Sequence, residues 1–181
     1  GQSRPFTSTS VISGGGWQVL RDRDQWERLV ADPSLLTSGI EEMLRWVSPI
    51  KNMARIATRD VEVAGQQVQE GQKLLLLYPS ANRDEDVFAD PFTFDSTRDP
   101  NDHVAFGYGS HFCLGNSLAR LELSVMIDRL LERLSDPHLA EPTDICCRSA
   151  AEIETARRRA LRDREEASLY GHQNLVKDLL P

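Results

Sequence analysis

The stretch AFGYGSHFCLG, residues 105–115, places three glycines, a histidine and a single cysteine between two apolar runs. Because glycine lacks a Cβ atom, a loop that contains Gly107, Gly109 and Gly115 lets its backbone lie close against a bound group. Cys113 falls where a long helical pattern begins, and the partial positive charge at a helix start favours the thiolate form of a cysteine. The stretch therefore places one thiol where its reactive thiolate form is favoured.

The helical pattern that follows this stretch is the clearest element in the sequence. Apolar residues at spacings of three and four predict a long helix with a wide apolar face, ended by Ser135-Asp136-Pro137. The residues of this face are Leu118, Leu121, Val125, Met126, Leu130, Leu131 and Leu134.

Two further helices are predicted upstream. Residues 16–30 carry two tryptophans and three aliphatic side chains at roughly helical spacing, and Pro33 then breaks the pattern. Residues 40–47 repeat the pattern with Ile40 as the first apolar position. Ser48-Pro49 ends this second helix, because the residue before a proline is pushed away from the helical region.

Short strands are predicted between the helices. Alternating apolar residues at 61–63 and the four-leucine run at 74–77 predict a small sheet near residues 56–78, and we expect the leucine strand to be buried on both faces. Residues 80–95 predict irregular chain pinned by aromatic side chains. The predicted fold class is mainly α, of the α+β type, with a small β-sheet.

The two ends of the chain differ from its middle. Residues 1–16 are rich in Ser, Thr and Gly without a helical period, and they predict a loop or a poorly determined end. Residues 148–168 are dense in Ala, Arg and Glu, and they predict an exposed helix or a disordered tail. We therefore expect a divergent N-terminal end at 1–12, one central domain at 13–141 and a divergent charged tail at 142–181.

Composition limits the classes of function. The chain has 181 residues, 40% hydrophobic and 27% charged, which is ordinary usage for one globular domain. No apolar run approaches the ~18 residues of a membrane span. A net charge of −7 argues against nucleic acid as a partner. Three cysteines, two of them adjacent, and an N-terminus without a secretory pattern favour a reducing, cytoplasmic location.

Four interpretations of Cys113 are open from the residues alone. It can be a small buried hydrophobe, a nucleophile with His111 as its base, a zinc ligand with His103 and His111, or the axial ligand of a heme iron. No oxyanion donors are evident for a nucleophile, and the spacings match no common zinc pattern. A heme iron needs one thiolate, a thin glycine-lined loop and cations for two propionates, so this interpretation uses every feature of the stretch.

The spacing of Phe106, Gly109, Cys113 and Gly115, Phe-x-x-Gly-x-x-x-Cys-x-Gly, resembles the heme-binding signature of the cytochrome P-450 family of heme-thiolate monooxygenases. The surrounding sequence is most similar to the soluble, bacterial members. The resemblance covers roughly residues 11–141 and corresponds to the C-terminal, heme-binding portion of the family fold.

A second motif of the family is present upstream. Glu42-Met43-Leu44-Arg45 is similar to the family's Glu-x-x-Arg pair, and Arg98 matches the arginine that the family joins to this pair. The resemblance implies a buried ion network with a structural role, costly to desolvate and strongly damaging when one partner is removed. From the residues alone, a solvated pair on a helix and a loop arginine that faces water stay open.

The resemblance also implies the cofactor and the residues that hold it. The cofactor is heme b, and the Cys113 thiolate is both the iron ligand and the catalytic residue. Arg55 and His111 match residues that reach the heme propionates, for which guanidinium and imidazole donors are suitable, while Phe106 packs on the thiolate side. The cofactor-binding set is completed by Gly107, Gly109 and Gly115.

The implied activity is insertion of one atom of O2 into an apolar small molecule, with electrons from a ferredoxin or reductase-type partner. The wording SPIKNMAR and ANRDEDVF resembles members that oxidise steroid or other lipid substrates, and residues that match the substrate side are Pro49, Ile50, Met53 and Ala54.

The family's N-terminal majority, with the central helix that delivers protons, has no counterpart in the sequence. A fragment, a fusion and a misread gene each fit this pattern. We therefore expect an incomplete chain that binds heme weakly and does not turn over alone. The alternative is a non-catalytic remnant that acts as a heme-binding or helical interaction module.

Overall fold

A computed structural model describes residues 6–134 and residue 137. Its α-helices are α1 (Phe6–Arg21), α2 (Arg23–Ala31), α3 (Leu36–Val47), α4 (Tyr78–Ala81) and α5 (Asn116–Arg133). Its strands are β1 (Asn52–Ile56), β2 (Val61–Val63), β3 (Gln66–Val68) and β4 (Lys73–Leu77). Single 3-10 turns lie at Pro33–Leu35 and Gly109–His111. Within the described residues, none of the helices combines the length and the apolar character that a membrane-spanning segment needs.

The core lies between α1, α2, α3 and α5. Its buried members are Val11, Val19, Trp26, Leu29, Ile40, Met43, Leu44, Phe94, Ala105, Leu123 and Ile127. Ala105, the first residue of the cysteine stretch, belongs to this core, so the loop that carries Cys113 begins from a fixed point.

The predicted loop at residues 1–16 is wrong from Phe6 onward, because this segment forms the first part of α1. Val11, Gly15 and Val19 are buried at four-residue spacing along one side of the helix. A Cβ atom at Gly15 would lie 2.7 Å from Cγ of Met43, so glycine permits a close approach of α1 to α3. This packing outweighs the low helix propensity of the Ser- and Gly-rich sequence.

The single helix predicted at 16–30 is two helices in the structure. Asp22 adopts an extended conformation, with φ of −106° and ψ of 92°, between α1 and α2. The predicted end of α3 is confirmed, because Ser48 has a left-handed φ of 44° directly before Pro49.

The strands form two separate antiparallel pairs. β1 pairs with β4, with Arg55 opposite Leu74, and β2 pairs with β3. The predicted burial of the leucine strand is wrong, since Leu75 is 59% exposed and Leu77 is 51% exposed. Among the described residues β4 pairs with β1 alone, and a two-stranded ribbon covers little of either face.

The long helix α5 is confirmed, but its two buried residues are not among those predicted for its apolar face. Leu123 and Ile127 are 0% and 4% exposed, and they pack into the core. Leu118, Leu121 and Val125 lie on the exposed side of the helix, where 52–60% of each residue is accessible. α5 therefore has one apolar side in the core and another open to solvent.

The segment between α4 and the cysteine stretch, residues 82–104, is called the meander below. It is irregular, as predicted. Phe88 and Phe94 are only 3% and 2% exposed, so their buried rings hold the meander in place. Phe94 packs edge-on against Trp46 of α3, with ring centroids 5.8 Å apart. The tail predicted at residues 148–168 lies outside the described residues.

Candidate functional site

The loop that carries Cys113 is held in shape by its own backbone. Gly107 and Gly109 have φ values of 79° and 73°, a left-handed conformation that favours glycine. The Cys113 N–H donates to the carbonyl of Phe106 at 3.0 Å, and the Phe112 N–H donates to the carbonyl of Gly109 at 3.0 Å. α5 begins three residues after Cys113, so the thiol lies just before the positive end of a helix.

The surface around Cys113 is apolar and open. The Cys113 thiol is free and exposed. Tyr108 is 89% exposed, Phe112 47% and Leu114 101%, so large apolar side chains flank the thiol without covering it. Contiguous exposed apolar side chains on a fixed loop indicate a contact surface for a ligand or for another part of a protein. An exposed thiol on such a surface fits a residue that would hold a heme iron through its thiolate.

Metal sites of several protein ligands are not formed in the described part of the chain. There, no group of three or more His, Cys, Asp or Glu side chains comes together to hold an ion. His103, one of the residues considered for zinc, is bonded instead to Glu41 at 2.9 Å.

The structure brings Glu42, Arg45 and Arg98 together. Arg45 forms a bidentate pair with Glu42, with both N···O distances 2.7 Å, and both side chains are fully buried. Arg98 Nε donates to Glu42 Oε2 at 3.2 Å. Asn101 Nδ2 and the Asp95 N–H also donate to this carboxylate, at 3.0 and 2.9 Å. The Glu42 carboxylate is thus saturated with donors, which offsets the cost of its burial.

The same network fixes the irregular backbone of the meander. Arg45 donates to the carbonyls of Asn82, Pro91 and Thr93 at 2.8, 2.9 and 3.2 Å. Arg98 donates to the carbonyl of Ala89 at 2.7 Å. Two guanidinium groups therefore satisfy carbonyls that have no strand partner, as buried backbone requires.

A second cluster, which sequence reasoning missed, lies on the neighbouring residue of α3. Glu41 receives a bidentate pair of hydrogen bonds from Arg120 of α5, at 2.6 and 2.9 Å, and one from His103 at 2.9 Å. Burial raises the pKa of the Glu41 carboxyl, but these hydrogen bonds outweigh it and lower the pKa to about 2. Two signals were available: Glu41 adjoins Glu42, and Arg120 lies one turn into the helix that follows Cys113.

Phe106 lies between this cluster and the cysteine loop. The Arg120 guanidinium sits over its ring, 4.6 Å from the centroid, and Phe112 packs edge-on at 6.3 Å. The predicted contact of Phe106 with the thiolate side of a heme stays a prediction.

Arg55 and His111, the predicted propionate partners, are both exposed. Arg55 lies on β1, and its Nη1 donates to the carbonyl of Ala54 at 3.0 Å. His111 ends the 3-10 turn of the cysteine loop. Their roles stay predictions, as does the substrate role of the segment from Pro49 to Ala54, in which Met53 is 45% exposed.

Comparisons with known proteins identify the family to which this fold belongs. The cytochrome P450 family model matches residues 18–151. The steroid C26-monooxygenase of Mycolicibacterium smegmatis is 54% identical over 144 residues, which are 80% of this chain and 36% of that protein. The cytochrome P450-terp of a Pseudomonas species is 43% identical over 136 residues, 75% of this chain and 32% of that protein.

Among solved structures, CYP109E1 from Bacillus megaterium in complex with testosterone is 38% identical, with a TM-score of 0.75, over 78% of this chain and 39% of that one. The fold is thus that of part of a cytochrome P450. The chain belongs to the cytochrome P450 family, which confirms the resemblance and the fold class. It spans about a third of the length of the curated relatives that it matches.

Proposed function

We propose that this chain carries the heme-binding part of a cytochrome P450 monooxygenase, in which the Cys113 thiolate would hold the heme iron. The observation that carries the proposal is the free, exposed thiol of Cys113 on a hydrogen-bonded glycine loop among exposed apolar side chains. When bound, the heme supplies the redox chemistry that activates oxygen, for which a thiolate ligand donates electron density.

The chain's own residues position that thiolate. The cysteine loop leaves the meander at Val104, whose N–H donates to Asn82 Oδ1 at 2.7 Å. Asn82 is buried, and its Nδ2 donates to Ser48 Oγ at 2.8 Å, at the end of α3. The Glu42 network holds the rest of the meander. The loop thus starts from a buried, satisfied scaffold, which is what a precisely placed ligand requires.

The remaining cofactor contacts belong to the same proposal. Arg55 and His111 are exposed donors that would hold the two propionates of heme b, and charge-assisted hydrogen bonds suit that role. Phe106, Gly107, Gly109 and Gly115 would form the wall on the cysteine side.

The proposed substrate is an apolar small molecule of the steroid or lipid class. Support comes from the name and 54% identity of the Mycolicibacterium relative and from the exposed apolar residues Met53, Ile56 and Leu75 on the β1–β4 ribbon. The proposal includes a ferredoxin or reductase-type electron donor and a cytoplasmic location, which the chain's cysteine usage favours.

The test is heme binding by the 181-residue chain with hemin in excess. We expect reduction under carbon monoxide to give the red-shifted Soret band of a thiolate-bound heme. Cys113→Ser should abolish that band, because a hydroxyl is a poor iron ligand, while the matched control Cys146→Ser should keep it. A band that survives Cys113→Ser would contradict the ligand assignment. Failure of the unaltered chain to bind hemin would favour the alternative, a non-catalytic helical interaction module.

A further inference from the structure

The Glu41 cluster connects α3 to both sides of Cys113. Arg120 uses Nε and Nη2 to bind the Glu41 carboxylate, at 2.6 and 2.9 Å, so its guanidinium plane is fixed. A bidentate arginine–carboxylate pair restricts orientation as well as distance. The pair is about three-quarters buried on the Glu41 side, where 22% of the side chain is exposed.

The remaining guanidinium nitrogen of Arg120, Nη1, contacts Asn116, the residue directly after the loop. Arg120 Nη1 donates to Asn116 Oδ1 at 3.0 Å, and Asn116 Nδ2 donates to the carbonyl of Cys113 at 2.7 Å. Asn116 therefore transfers the fixed orientation of Arg120 to the peptide on the C-terminal side of Cys113.

The N-terminal side of Cys113 is held by the same guanidinium. Arg120 sits over the Phe106 ring at 4.6 Å, and the Phe106 carbonyl accepts the Cys113 N–H at 3.0 Å. Both peptide groups of Cys113 are thus tied to residues that contact Arg120.

His103 adds an attachment at the start of the loop. Its Nδ1 accepts the N–H of Ala105 at 3.2 Å, so Nε2 carries the proton that is donated to Glu41 at 2.9 Å. The Glu41 carboxylate is therefore connected to residues 105–116 in three ways. Arg120 links it to Asn116 and to the Phe106 ring, and His103 links it to the Ala105 N–H.

We propose that Glu41 and Arg120 are positioning residues that fix the two peptide groups of Cys113 and so set the direction in which its sulfur meets a heme iron. The inference rests on the proposed function for the heme, while the fixed loop is a property of the chain itself. Arginine is required, because a lysine ammonium has no rigid fork and cannot hold Glu41, Asn116 and the ring face together.

Hydrogen exchange on the heme-free chain tests the loop directly. We expect Arg120→Lys to speed exchange of the Cys113 and Asn116 amides by about tenfold relative to the unaltered chain, with amides of α2 unchanged. The matched control Arg129→Lys changes an arginine of α5 that pairs with Glu132 far along the same helix, and it should leave the loop unchanged. Unchanged loop amides in Arg120→Lys, or equal acceleration throughout the chain, would overturn the proposal.

Asn116→Ala is a milder second variant for the case in which Arg120→Lys does not fold. It removes one link to the Cys113 carbonyl and keeps the Glu41–Arg120 pair, so we expect about threefold faster exchange confined to residues 113–116. Absence of any local change would count against the proposal.

The carbon monoxide spectrum of the heme-loaded chain tests the orientation of the Cys113 sulfur. At equal bound heme, we compare the thiolate-type carbon monoxide band with the band of a neutral ligand. Arg120→Lys should lower the ratio of the two bands by about twofold or more, because the Cys113 sulfur is less well oriented. Arg129→Lys should leave the ratio unchanged. An unchanged ratio would overturn the claim about sulfur direction. If the unaltered chain shows no thiolate-type band, the proposed function fails, and the exchange rates alone decide whether Arg120 fixes the loop.

Discussion

Glu41 and Glu42 are consecutive residues of α3, yet they serve different parts of the molecule. Glu42 is fully buried and binds Arg45 of its own helix and Arg98 of the meander. Glu41 is partly exposed and binds Arg120 and His103 beside the cysteine loop. One step along a helix turns the side chain by about 100°, so neighbours in sequence face different surroundings.

The two carboxylates differ in whether their arginine partners would still reach solvent if the carboxylate were removed. Without Glu42, the buried guanidinium of Arg45 loses its counter-charge in a place that water does not reach. Without Glu41, Arg120 still has solvent, because 36% of its side chain is exposed. Burial therefore makes the Glu42 network a condition for folding, whereas the Glu41 cluster can adjust a loop without deciding whether the chain folds.

Glu42→Gln tests the buried half of this comparison. We expect a loss of about 3–5 kcal/mol in the free energy of unfolding, because a buried arginine keeps its charge without a counter-charge. Urea denaturation followed by circular dichroism measures it. The control Glu132→Gln breaks an exposed pair with Arg129 and should cost less than about 0.5 kcal/mol. Equal effects of the two substitutions would contradict the distinction.

Glu41→Gln tests the partly exposed carboxylate through the pH dependence of stability. The pKa of Glu41 is lowered from 4.5 to about 2 in the folded chain, so the carboxylate contributes stability above about pH 4.5 and loses it as pH falls toward 2. The variant should be less stable than the unaltered chain by on the order of 2 kcal/mol at pH 7. Urea unfolding from pH 7 to 3 should show this gap narrowing with acid, and a gap that does not depend on pH would refute the charge-based explanation.

Gly15→Ala examines the contact of α3 with α1, where packing replaces charge. The new Cβ would lie 2.7 Å from Met43 Cγ, and overpacking outweighs the gain in helix propensity, so we expect a net loss of about 1 kcal/mol. Gly16→Ala is the matched control, because nothing lies within 4 Å of its Cβ position, and it should gain about 0.5–1 kcal/mol. Thermal unfolding of both variants decides the sign, and a gain at both positions would show that α1 is free to move away from α3.

The sequence predicts the parts of the molecule that depend on local pattern. α5 follows from apolar residues at spacings of three and four, and the spacing around Cys113 is specific enough to indicate the family. The first part of α1, residues 6–15, escaped prediction because its helix depends on Gly15 fitting against Met43, which is a tertiary contact without a local signal. The Arg120 contact escaped for the same reason, since Glu41 is 79 residues away along the chain.

Exposure was the property that the sequence predicted least well. Leu75 and Leu121 read as core residues, because apolar residues usually are, and yet they are 59% and 60% exposed. Period 2 or 3.6 predicts which side chains share a face, but what covers that face depends on residues far away in the sequence.

The packing around Trp46 gives the chain an optical reporter. Its indole has the guanidinium groups of Arg45 and Arg83 at 5.8 and 5.2 Å, and the Phe94 ring stands edge-on to it. Arg83 and Phe94 belong to the meander, so detachment of the meander removes one cation and one aromatic ring from the indole and changes the electric field there. The emission wavelength of Trp46, in a chain whose other two tryptophans are replaced by phenylalanine, would therefore follow the attachment of the meander without any label.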